Sequence, residues 1–239
     1  GIARRQPQRP RGMACRARRQ AETGARGKRL VEMKTRGGHI GIMPGLSSDL
    51  AENTMVSLTT PVCDFGWKAP GFSLPGVDGK VWTLADAMGP NGLLVMFICN
   101  HCPYVKAIRP RLVRDLAELR QHGIHAIAIM SNDPAEYPED SFDNMKKVAA
   151  EFDFPFPYVI DETQQVAKAY GAVCTPDFFG FNRDFELQYR GRFDESRKET
   201  APEGVRRDLF EAMKDIAATQ RGPAGQIPSM GCSIKWKGE

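Results

Sequence analysis

Leu93-Leu94-Val95-Met96-Phe97-Ile98-Cys99-Asn100-His101-Cys102-Pro103 runs an uninterrupted apolar stretch straight into two cysteines and a proline. Six consecutive apolar residues after Pro90-Asn91-Gly92 have strand length and no alternation, the pattern of a central strand covered on both faces. Beyond Pro103 the period changes. Ile108, Leu112, Leu116 and Leu119 recur at helical spacing until Gly123 stops the pattern, so a helix follows the two cysteines directly. Proline cannot donate to the helical ladder and disfavours helical geometry in the residue before it, which puts Pro103 at the first helical position and Cys102 at the cap.

Outward from this segment the chain alternates. Residues 124–130 read as the next buried strand; Phe142, Met145 and Val148 mark a helix, 158–160 a short strand, and 166–170 a helix closed by Gly171. Strand–helix alternation on this scale implies right-handed crossovers and a parallel core. The rhythm then changes: 177–182 and 185–190, separated by Arg183-Asp184, read as an antiparallel pair, and Leu209, Met213 and Ile216 mark a last helix. Upstream, Ala69-Pro70-Gly71-Phe72-Ser73-Leu74 and Asp78-Gly79-Lys80-Val81-Trp82-Thr83-Leu84 read as a small hairpin. The expected fold is α/β and thioredoxin-like, a central mixed sheet flanked by helices with an N-terminal hairpin extension. Trp67, Trp82, Phe178 and Phe179 are assigned to packing, and His122 and His125 are not read as ligands.

The charge is unevenly spread. Residues 1–54 hold 12 Lys or Arg against 4 Asp or Glu, leaving 21 basic and 25 acidic residues in 55–239. The first segment, with its Gln6-Pro7-Gln8-Arg9-Pro10-Arg11-Gly12, has no lasting apolar period. It is expected to be a disordered basic tail, and 55–239 a single domain. A solvated tail, attachment to nucleic acid or a surface, and an organelle transit peptide are the three readings of that tail, and Met55 is a candidate true start. No apolar run approaches membrane-spanning length, and no secretory apolar stretch stands in the first thirty residues, so no membrane partner is expected. No phosphate-binding loop or nucleic-acid motif appears in 55–239, and nucleic acid is not an expected partner of the domain. Six cysteines in 239 residues are too few for a disulfide scaffold; the expected setting is the reducing cytoplasm.

Cys99 and Cys102 form a C-x-x-C where a strand hands over to a helix N-terminus, and unpaired N–H groups with the helix dipole favour a thiolate there. Two-residue spacing lets the second sulfur reach the first, so that a mixed disulfide with substrate resolves inside the protein. The expected activity is thiol–disulfide exchange with protein or small-molecule disulfides, without a tightly held cofactor, by a monomer or weak homodimer. Cys99 is expected to attack as in thioredoxins and Cys102 to resolve, with Cys102 left open as the alternative nucleophile. The reading needs both sulfurs adjacent at the exposed end of a helix. His101 is either a solvent-facing spacer or a group that stabilises the thiolate. A metal-binding module using Cys99, His101 and Cys102 is the rival from another class. Cys15 and Cys63 show no partner.

Phe97-Ile98-Cys99-Asn100-His101-Cys102-Pro103-Tyr104 resembles the thioredoxin-like proteins related to peroxiredoxins, the alkyl hydroperoxide reductase/thiol-specific antioxidant group. So do the Ala69-Pro70-x-Phe72-x-Leu74 opening, Val173-Cys174-Thr175-Pro176 and the closing Pro228-Ser229-Met230-Gly231-Cys232-Ser233-Ile234-Lys235-Trp236, over residues 62–237. The resemblance implies that Cys102 stands at the peroxidatic position, that Cys99 replaces an activating threonine, and that the arginine expected near Thr175 is missing. A weak thiol-dependent peroxidase acting on hydroperoxides is therefore the nearest alternative. It also implies that Thr175-Pro176 is the cis-proline loop facing the cysteines and offering backbone groups to substrate. Cys174 is read as a small buried residue or an exchanging thiol, and three readings stand for Cys232: a tail thiol that folds back to resolve a sulfenic acid or disulfide, a structural pairing, or a free thiol.

Overall fold

The computed structural model describes residues 57–238. The expectations for residues 1–54, for Met55 and for Cys15 lie outside them.

Strand β4 (Gly92–Phe97) is buried at every position and forms the middle of a five-stranded sheet. It pairs parallel with β5 (Ile124–Met130), which pairs parallel with β6 (Tyr158–Ile160). On its other side it pairs antiparallel with β8 (Asp177–Asn182), and β8 with β9 (Leu187–Tyr189). Because side chains alternate across a strand, Leu94 and Met96 enter one core with Ile108, Leu112 and Leu116, and Leu93, Val95 and Phe97 enter a second core on the opposite face. That double coverage explains the unbroken apolar run.

Helix α2 (Pro103–Gln121) begins with Pro103 in its first turn and Cys102 as its cap, in extended geometry at φ −60°, ψ 124°. Its buried face includes Ile108, Leu112, Leu116 and Leu119, and α5 (Asp208–Thr219) buries Leu209, Met213 and Ile216 in the same core. A 3₁₀ turn at Pro138–Asp140 leads into α3 (Phe142–Glu151). Helix α4 (Gln165–Tyr170) ends on Gly171, whose φ of +60° is the left-handed cap that glycine accepts without steric penalty. The hairpin is β2 (Ser73–Pro75) against β3 (Val81–Thr83), followed by the one-turn α1 (Leu84–Ala87). The strand expected over 185–190 is shorter, because Phe185 adopts φ +60° to close the turn back to Asn182.

A second, three-stranded sheet has no counterpart in the sequence reading. Strand β10 (Met230–Ser233) lies between β1 (Ser57–Thr59) and β7 (Cys174–Thr175), antiparallel to both. Its register sets Cys232 opposite Thr175 and Ser233 opposite Cys174. A Cβ on Gly231 would fall 2.1 Å from the Thr175 carbonyl oxygen, so only glycine permits this approach. The fold is a thioredoxin-like α/β structure in which this small sheet holds the C-terminal strand against the N-terminus of α2.

Candidate redox site

Cys99 follows β4 by two residues and Cys102 caps α2, so strand end and helix start fix the two thiols independently. The loop between them is pinned by one carboxylate. Asp140, fully buried in the 3₁₀ turn, accepts from the Asn100 N–H at 2.8 Å, the His101 N–H at 3.3 Å and the Asn132 amide at 2.8 Å, and pairs with His101 Nδ1 at 2.7 Å. Burial opposes its ionisation, but the hydrogen bonds from His101 and Asn132 outweigh that and hold the carboxyl below its ordinary pKa. Asn100 is held in turn: its amide donates to Glu139 O at 2.8 Å, and its side-chain and backbone oxygens accept from Tyr158 and Arg109, both at 3.1 Å.

Thr175 and Pro176 meet the dithiol as the family resemblance implies. Their peptide bond is cis. The Thr175 hydroxyl lies 3.3 Å from Cys99 Sγ and the Thr175 carbonyl 3.1 Å from Cys102 Sγ. Cys232 completes the group at 3.1 Å from Cys102 Sγ, its position fixed by the pairing of β10 with β7. Cys174 is buried as expected, but the strand alternation that aims Thr175 at the site directs it elsewhere, and its thiol lies against Pro176 O at 3.5 Å. Burial pushes that thiol well up, which fits a packing role.

The two C-x-x-C thiols sit in unlike surroundings. Cys102 donates to Cys232 Sγ at 3.1 Å while it is a thiol; once it is ionised, the thiols of Cys232 and Cys99 can turn to donate to it, and with the helix N-terminus they favour its thiolate against the opposing effect of burial. The Thr175 carbonyl acts the other way, since it pairs only with a protonated thiol, but two donors against one acceptor leave the pKa of Cys102 depressed. Cys99 is pushed well above the ordinary thiol value by burial, by its bond to Cys102 and by the negative charge of Asp140. These surroundings favour a thiolate at Cys102 over one at Cys99.

Two expectations need correction. The sulfurs are adjacent, but Cys99, Cys102 and Cys232 are all within 2% of complete burial, so the helix end carrying them is covered. A cavity of about 80 Å³ lies beside Pro176, lined by Tyr104, Ser229 and Met230 among others. His101 is not a solvent-facing spacer: its side chain is 8% exposed, stacked on Tyr137 at 4.5 Å and anchored by Asp140. Its Nδ1 lies 3.7 Å from Cys99 Sγ, so its reach is toward Cys99.

For a metal, the atoms gathered within 4.8 Å are those of Cys99, His101 and Asp140, not the expected set with Cys102. The carboxylate in that set is already saturated by the hydrogen bonds that hold the loop. Asp140, Asn132 and Tyr137 were missed by the sequence reading. Their only signal was a Tyr-Pro-Glu-Asp turn some forty residues downstream, with no period linking it to the dithiol. Among the described residues, no guanidinium is a partner of Cys102 in place of the arginine absent from the sequence near Thr175. Arg190 is committed to Asp177 and Gly171 O, and the partners of Cys102 Sγ include no guanidinium.

Fold and site together define a thioredoxin-fold protein with a dithiol at the start of the helix that follows its central strand. Residues 65–193, more than half of the chain, match the AhpC/TSA family, and the chain belongs to that family. Among solved structures, an uncharacterized conserved protein from Geobacillus kaustophilus is 45% identical, with a TM-score of 0.74 over 77% of this chain and 98% of that one. A hypothetical protein from Sinorhizobium meliloti 1021 is 36% identical, with a TM-score of 0.70 over 76% of this chain and 98% of that one. A curated relative, the thiol-disulfide oxidoreductase ResA of Geobacillus thermodenitrificans, is 26% identical over 52% of this chain and 66% of its own length. The chain thus spans just under two thirds of the length of the curated relatives it matches.

Proposed function

We propose that the protein is a thiol–disulfide oxidoreductase in which Cys102 attacks a substrate disulfide and Cys99 closes the internal bond. The Cys102 thiolate displaces one substrate sulfur and forms a mixed disulfide. The Cys99 thiol then loses its proton and attacks the Cys102 sulfur, releasing the second substrate thiol and leaving Cys99–Cys102 oxidised. Each turnover reduces one substrate disulfide and oxidises one dithiol, which an external thiol must reduce again. The observation that carries this reading is a thiolate-favouring cysteine capping α2 with a second thiol hydrogen-bonded to it, both facing the Thr175-Pro176 loop. The family and the ResA relative support the same class of chemistry. We place the reaction in a reducing cytoplasm, with protein or small-molecule disulfides as substrates and a monomer or weak homodimer as the working unit.

Reduction of a chromogenic aromatic disulfide by the pre-reduced protein tests the proposal. Wild type should rapidly release two equivalents of chromophore, one on attack by Cys102 and one on resolution by Cys99, and Cys102→Ser should release none at that rate; equal rates in the two proteins would overturn it. A second reading, thiol-dependent peroxidase activity, is favoured by the thiolate character of Cys102. Among the described residues no guanidinium stands at Cys102 to stabilise the departing oxygen, so peroxide consumption should be much slower than disulfide consumption. The reverse ranking would make the peroxidase the better reading.

A further inference from the structure

We infer that Cys232 is a third redox thiol, which competes with Cys99 for Cys102 and gives the protein a second internal disulfide, Cys102–Cys232. This rests on the exchange chemistry proposed above and extends it to a residue 130 positions away in sequence.

The two sulfurs lie 3.1 Å apart, so bond formation at about 2.0 Å asks for roughly 1 Å of approach. The placement is specific. Strand β10 is held on both edges, by β1 and β7, with Cys232 opposite both Ser57 and Thr175. A register slip of one residue would turn Cys232 to the other face of this sheet. Gly231 allows the approach, because any side chain there would strike the Thr175 carbonyl. Ser229 fixes the preceding turn by donating to Pro176 O at 2.9 Å, and its N–H donates to Thr60 at 3.0 Å. A buried cysteine needed only for volume does not require this framework at the thiolate.

The chemistry also distinguishes Cys232 from Cys99. The main influence keeping the Cys232 thiol protonated is its hydrogen bond to the Cys102 thiolate, whereas the main influence on Cys99 is burial. Once Cys102 is bound to substrate its charge is gone, and the chief restraint on Cys232 goes with it; Cys99 keeps its own. Lys235 further favours ionisation of Cys232. In the step that follows, the Cys232 thiolate attacks the Cys102 sulfur of the mixed disulfide, forms Cys102–Cys232 and releases the substrate thiolate, which takes up a proton. Cys99 can afterwards attack the same Cys102 sulfur and return Cys232 to the thiol form, with no net change in oxidation state. Cys102 is the shared atom, so the two disulfides exclude one another.

The test uses the full chain, reduced and then treated with one equivalent of an aromatic disulfide, blocked with an alkylating agent and mapped by peptide mass. Wild type should yield peptides linked 99–102 and 102–232. Cys99→Ser should complete the reaction, releasing both halves of the probe with the 102–232 link as product, and Cys232→Ser should yield only 99–102. The inference is overturned if Cys99→Ser stops at a persistent mixed disulfide on Cys102 while Cys232 is recovered alkylated and wild type contains only 99–102. That outcome leaves the proposed function standing. Failure of wild-type Cys102 to form any adduct would instead refute the proposed function.

Discussion

Replacing Cys232 by alanine in a Cys99→Ser background should raise the pKa of Cys102. The thiol of Cys232 is the largest influence that favours the Cys102 thiolate, acting across 3.1 Å in a fully buried setting. A hydrogen bond to a charged group contributes about 1.5–3 kcal/mol. At about 1.4 kcal/mol per pKa unit, its loss raises the Cys102 pKa by roughly 1 to 2. The assay is the rate of Cys102 carbamidomethylation against pH, read by peptide mass in both backgrounds. Local opening precedes reaction at a buried sulfur in both proteins, so the position of the midpoint, not the absolute rate, carries the information. The alanine variant should have the higher midpoint; an unchanged or lower one would refute the argument that Cys232 donates to the thiolate. Stability follows the same sign. The native pKa of Cys102 lies below that of an unfolded thiol, near about 8.5. Its contribution is therefore complete above that value and declines as pH falls toward the native pKa, and the substitution should shrink it.

Asp140→Asn replaces an oxygen that faces donors on His101 and Asn132 with an amide that cannot satisfy both. Thermal unfolding should show a loss of roughly 1–3 kcal/mol, as for leaving a buried hydrogen-bonding group unsatisfied. Because the Asp140 carboxyl is held below its ordinary pKa, its contribution to wild-type stability is present above about pH 4 and lost as pH falls through the native value; the Asn variant should have a flatter acid limb in a denaturant series. Gly231→Ala forces β10 away from Thr175, and calorimetry should show a loss of roughly 1–3 kcal/mol, together with loss of the 102–232 link under mild oxidation. His101→Ala removes the ring that reaches Cys99 and stacks on Tyr137; the Cys99–Cys102 reduction potential should move, and an unchanged potential would limit His101 to holding the loop.

The central strand, the helix after it and the parallel-then-antiparallel order were legible because long buried elements leave periodic marks. Leu93 through Ile98 and the Ile108, Leu112, Leu116, Leu119 series are such marks. The dithiol was legible as a spacing, and Thr175-Pro176 through the family resemblance. The order proposed for the two thiols was not, because it rests on which sulfur neighbours Cys232 and which faces Asp140. Strands of two to four residues such as β7 and β10 carry no period, so the register that brings residue 232 to residue 102 had no signature beyond the Gly231-Cys232 pair. The covering of the site was missed for the same reason. A cap on an exposed helix end and a cap beneath a folded-back strand read identically in sequence.

The central claim is that the reactive thiolate belongs to Cys102. Alkylating the reduced protein with less than one equivalent of iodoacetamide, then mapping the label by peptide mass, measures this directly. The account predicts that among Cys99, Cys102 and Cys232 the label appears first on Cys102. Label on Cys99 with Cys102 unmodified would contradict it.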